Sequence, residues 1–119
     1  MPVVAAYAGM PEMLERVTDV VRVTQNNSMT VAYACAAARV LEQIILGASG
    51  PEAVRTTAAA LQANGSGGGS AAQISEELEE TAELASGLAF LDGVIKFCGG
   101  RYNPCMHNAT NAIAWLHLQ

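Results

Sequence analysis

Apolar residues recur along this chain at intervals of three and four, the spacing that gathers side chains on one face of an α-helix. Val31, Ala34, Ala38, Leu41 and Ile45 make such a stripe over residues 28–46. Ser28 or Asn27 can accept from the unpaired amides at its start, and Gly47 stops it. Upstream, Met10, Leu14, Val17 and Val21 define an earlier helix. Pro11 suits its first turn, and Glu12 and Glu15 sit near the positive end of its dipole. Residues 2–9 are apolar and short, and fit a strand as well as a turn of helix.

Ser49-Gly50-Pro51-Glu52 restarts a helix that carries Val54, Ala58 and Leu61 on one side and ends at Asn64. From Ala71 onward Ile74, Leu78, Thr81, Ala85, Leu88, Leu91 and Ile95 repeat the spacing, which predicts one long helix to Phe97. Gly87 and Gly93 weaken it by about 1 kcal/mol each relative to alanine. Gly99-Gly100 ends it, Asn103-Pro104 turns the chain, and a last helix over 105–118 carries Met106, Ala109, Ile113 and Leu116. The pattern predicts an all-α fold, a compact bundle of about five helices.

The organisation is three helices in 1–64, a linker at 65–70 and two helices in 71–119, together one domain. The linker reads Gly65-Ser66-Gly67-Gly68-Gly69-Ser70, a composition common in engineered flexible linkers and rare in natural loops. It is expected to replace a native loop or join two fragments, letting the third helix turn back into the fourth. A natural low-complexity loop is the alternative.

Only 14% of the residues are charged and 51% are hydrophobic, too few charges and too much apolar surface for a disordered chain. The stripe over 28–46 is built of small side chains, so its helix is expected inside the bundle, approached closely by neighbours. The apolar runs are broken by Glu, Arg or Gly, so no membrane partner is expected. Nor does a basic leader precede an apolar run. The net charge of −5 and the scattered basic residues count against a nucleic-acid partner. Glu76, Glu79, Glu80 and Glu83 read as a solvated helix face. Three cysteines do not make an even disulfide framework. Cys35 reads as a small core residue, and Cys98 and Cys105 as free thiols in a cytoplasmic protein, with a loop-closing disulfide as the alternative.

Some of these segments also carry a likeness. Met1-Pro2-Val3-Val4-Ala5-Ala6-Tyr7-Ala8-Gly9, a short amphipathic helix, then Val23-Thr24-Gln25-Asn26-Asn27 and the alanine-rich helix resemble an internal part of the ADP-ribosylglycohydrolase family, closest to its J-type crystallin-like branch. The likeness is best over residues 1–62, and Lys96-Phe97-Cys98-Gly99 is similar to a short Phe-Gly element of that family. The resemblance implies enzymes that hydrolyse the glycosidic bond between ADP-ribose and an acceptor with two magnesium ions. Their metals are held by a Thr-Asp-Asp-like element and an Asp-x-Asp-Thr element. Neither occurs in this chain, whose two aspartates, Asp19 and Asp92, stand isolated in helical patterns. The expected positions of the two elements fall before its start and after its end. No catalytic residue, metal ligand or cofactor is therefore assigned, and catalysis is not expected. The crystallin-like branch itself serves a structural role.

The ligand candidates are Thr24, Gln25, Asn26 and Asn27, which occupy the interhelix turn that resembles a Thr-His-containing turn of the enzymes. Helix capping accounts for the same residue types without a ligand. A zinc site at Cys98, Cys105 and His107 would need a fourth ligand and tighter spacing. His117 suits the negative end of the last helix, and Trp115 a core or an interface. The leading expectation is a helical fragment or shortened relative that acts as a structural or interaction module, with a homo-oligomer or a companion chain as partner. A self-associating bundle and a small-molecule-binding bundle are the other two readings.

Overall fold

The computed structural model describes residues 2–64 and 70–85. Within them lie five helices and no strand: α1 (Pro2–Tyr7), α2 (Met13–Thr24), α3 (Ser28–Ile45), α4 (Gly50–Asn64) and α5 (Ser70–Ala85). The described part is thus an all-α bundle. Residues 2–7, open between strand and helix in the sequence, are helical. The expected continuation to Phe97, the helix over 105–118, Cys98, Cys105 and most of the Gly/Ser linker lie outside the described residues.

α2 opens two residues later than Pro11. Gly9 turns the chain at φ +80°, Met10 N–H donates to the Tyr7 carbonyl at 2.9 Å, and Met13 N–H donates to the Met10 carbonyl at 3.2 Å. This turn leaves Met10 half exposed and makes Met13 the first buried residue of the helix. α3 is capped at both ends. The Asn27 side chain accepts from Met29 N–H at 2.9 Å and from Thr30 N–H at 3.3 Å. At the other end Gly47 N–H donates to the Ile44 carbonyl at 3.0 Å and Ala48 N–H to the Gln43 carbonyl at 2.9 Å. That pair of bonds is a Schellman closure, and the φ of +104° at Gly47 is the left-handed backbone it requires.

α3 is central because it is buried from two sides. Ala38, with Ala34, Cys35 and Leu41 beside it, packs on Val4, Met13 and Val17 of α1 and α2. Ala36 and Val40, with Ala32, Tyr33 and Ile44, pack on Ala53, Val54 and Ala58 of α4 and on Ile74 and Leu78 of α5. The stripe read from the sequence is the first of these faces, and its last member, Ile45, is largely exposed. Small side chains let both neighbours reach the α3 backbone, which is why an alanine-rich helix sits at the centre.

The α4–α5 contact rests on another close approach. Ser75 is fully buried and its hydroxyl donates to the Ala58 carbonyl at 2.9 Å. Four residues on along both helices, Gln62 Nε2 donates to Glu79 Oε1 at 2.9 Å. Glu76, Glu79, Glu80 and Glu83 form an exposed face.

Candidate functional site

A cleft of about 420 Å³ opens where α2, α3, α4 and α5 meet, within the size range of about 300–1,000 Å³ usual for small-molecule sites. α3 lines it with a helical row: Ala32, Cys35 and Ala36, then Arg39, then Gln43. The small residues make room, and Arg39 and Gln43 bring polar groups one and two turns further along the same face. α4 contributes Thr57, Ala60 and Leu61, α5 contributes Ser70, Ala71 and Ile74, and Leu14 of α2 completes the wall.

Thr57 is the informative member. It is 3% exposed, and its Oγ1 has no hydrogen-bond partner. A buried hydroxyl without a partner costs roughly 1–3 kcal/mol, so native proteins rarely leave one at a site with no use for it. Its neighbour in burial, Ser75, has its bond to Ala58. The contrast separates a hydroxyl that holds helices together from one that is buried without a partner.

Among the described residues that line the cleft, Arg39 brings the only formal charge. Its side chain is about half exposed, and its Nη1 donates to Glu42 Oε2 at 3.2 Å. Glu42 is buried, and its other oxygen, Oε1, accepts from Gly9 N–H at 3.0 Å. The carboxylate thus ties the α1–α2 turn to α3 and steadies the guanidinium. Nearby, Cys35 Sγ lies 3.5 Å from Thr18 Oγ1. It is partly buried, in keeping with a small packing residue.

Beside the cleft, Tyr33 braces α3 against α5 by donating to Glu77 Oε2 at 2.6 Å. Burial first, then this hydrogen bond and the glutamate's charge, push the phenol up to about 12.

Thr24, Gln25, Asn26 and Asn27 sit elsewhere, in the exposed connection between α2 and α3. Thr24 Oγ1 donates to the Val21 carbonyl at 3.2 Å, Gln25 N–H closes α2 on the same carbonyl at 2.9 Å, and Asn27 caps α3. None of the four lines the cleft. Among the described residues no group of His, Cys, Asp or Glu is arranged to hold a metal ion. No described helix is long and apolar enough to cross a membrane.

Sequence reasoning missed Thr57, Ser75 and Glu42, although one signal was present for the first two. Thr57 lies between Val54 and Leu61 on the apolar stripe of α4, and Ser75 follows Ile74 and precedes Leu78 by three. A hydroxyl on an apolar stripe must find a partner or face a space. The chain matches no family model, and no curated protein or solved structure is similar to it.

Proposed function

We propose that this chain is a helical binding module without catalysis of its own, and that it holds one small, largely apolar molecule in the cleft between α3, α4 and α5. The orphan hydroxyl of Thr57, buried at the wall of that cleft, carries the reading: a ligand oxygen or nitrogen there would relieve its missing bond. Most of the remaining wall is alanine, leucine and isoleucine, which favours an apolar body. The likeness to ADP-ribosylglycohydrolases would instead put a ligand at Thr24–Asn27. Capping already engages Thr24 and Asn27 there, and the described residues of the cleft offer one cation for a molecule with two phosphates.

The test is a titration of the isotope-labelled chain with 2-naphthalenemethanol, followed by amide and methyl chemical shifts. Saturable shifts centred on Leu61, Ile74 and Thr57 are expected. Shifts confined to the 24–27 turn, or none at all, would reject the cleft.

A second reading has its own observation. Val20 and Val23 lie one turn apart on α2 and are 54% and 84% exposed, an unusual setting for two valines. Pairing of two copies through α2 would cover them. Sedimentation at micromolar concentration tests this: a dimer that Val23→Glu dissociates supports it, and a monomer removes it.

A further inference from the structure

We infer that the cleft selects an organic anion, a compact apolar body ending in a carboxylate that Arg39 receives at the mouth. The inference rests on the cleft being a ligand site and adds the charge of what enters it.

The described lining residues hold no carboxylate; their one formal charge is the guanidinium of Arg39. This stands out in a chain whose net charge is −5. Glu42 partly offsets that charge, but it does not line the cleft, and its two oxygens already accept from Gly9 N–H and Arg39 Nη1. A guanidinium has five N–H donors in a planar fork. One contact to Glu42 fixes its direction and leaves it able to meet a second carboxylate, for which the fork is well shaped. Gln43, one turn along α3, adds an amide on the same face. Thr57, on α4, is a further polar residue of the wall. Leu14, Leu61, Ile74 and four alanines make most of the rest apolar. An acid with a flat or branched hydrocarbon body suits a mostly apolar wall with one cation. A cation would meet Arg39, and a sugar or nucleotide would leave its hydroxyls against alanine and isoleucine.

A matched pair of probes separates charge from shape: 2-naphthoate and the neutral 2-naphthalenemethanol, titrated at the same pH and ionic strength by calorimetry. The wild-type chain is expected to bind the acid about tenfold more tightly than the alcohol, the scale of one charge-assisted pair at a half-exposed site. Added salt should narrow that gap. Arg39→Gln should erase the preference for the acid over the alcohol, and Arg39→Lys should restore only part of it because the fork is lost. Thr57→Val should weaken both probes. Equal affinity for acid and alcohol, or a preference that survives Arg39→Gln, would overturn the anion inference and leave the cleft as a neutral site. Failure of both probes to bind a chain whose circular dichroism shows it folded would overturn the cleft itself, and this inference with it.

Discussion

Replacing Thr57 by valine exchanges a hydroxyl for a methyl of nearly the same shape, at a position that is 3% exposed and whose oxygen has no partner. In an ordinary core such a change loses a hydrogen bond and costs stability. Here there is no bond to lose. An unsatisfied buried polar group carries a penalty of roughly 1–3 kcal/mol, and a buried methyl contributes about 0.8 kcal/mol. Valine and threonine differ little in helix propensity. The lower end of that range is the conservative figure for the gain. Thr57→Val should therefore stabilise the ligand-free chain by about 1 kcal/mol, a rise in Tm of about 4 °C for a domain of this size. Urea titration reads it as a later midpoint with an unchanged slope. Thr56→Val is the control: Thr56 is exposed, and its change should stay within about 0.5 kcal/mol. Loss of about 1 kcal/mol or more in Thr57→Val alone would mean that the hydroxyl is bonded in the folded protein, and the argument from its isolation would fall. A gain in stability joined to a loss of binding is the usual mark of a residue kept for function.

Other consequences follow from the packing. Leu78→Ala opens a cavity in the fully buried α3–α4–α5 contact and should cost about 3 kcal/mol by urea titration; a cost under about 1 kcal/mol would show that α5 is not docked there. Gly47→Ala meets no atom within 4 Å but must adopt a φ of +104°, so its cost of about 1–2 kcal/mol should be purely conformational, with native dichroism retained. Tyr33 holds its proton more tightly folded than unfolded. Its contribution is therefore complete below pH 10.0, the ordinary phenol value, and is lost as pH rises toward about 12. Chemical denaturation across that window should show a decline that Tyr33→Phe removes; an unchanged decline would assign it to another group.

Much of the helical scaffold was legible in the residue spacing. α3 and α4 begin and end within a residue of where Asn27, Gly47, Pro51 and Asn64 put them, because caps, glycine and proline act locally. The buried positions of α2, Met13 and Val17, were half legible. The Gly9 turn, a local feature with a long reach, set Met10 outside and delayed the helix. What spacing could not convey was how many sides of a helix are covered. Ala34, Ala38 and Leu41 marked one face of α3, while Ala32, Ala36 and Val40 also make a stripe that only matters once α4 and α5 lie against it. Glu42 shows the same limit: its buried carboxylate accepts from an amide thirty-three residues away, a partner no periodicity announces. The cleft is a further step removed, since four helices must meet before Arg39 and Thr57 share a space. The sequence drew attention to the polar turn at 24–27 because polar residues cluster there in the chain, whereas the polar residues of the cleft are scattered among alanines.

The most direct test is an isotope-filtered NOE experiment on the labelled chain saturated with 2-naphthoate. The account predicts cross-peaks from the ring protons to the methyl groups of Thr57, Leu61 and Ile74, with those to Leu61 and Ile74 weakened in Thr57→Val. Cross-peaks to Val20 and Val23 alone, with silence from α4 and α5, would contradict it.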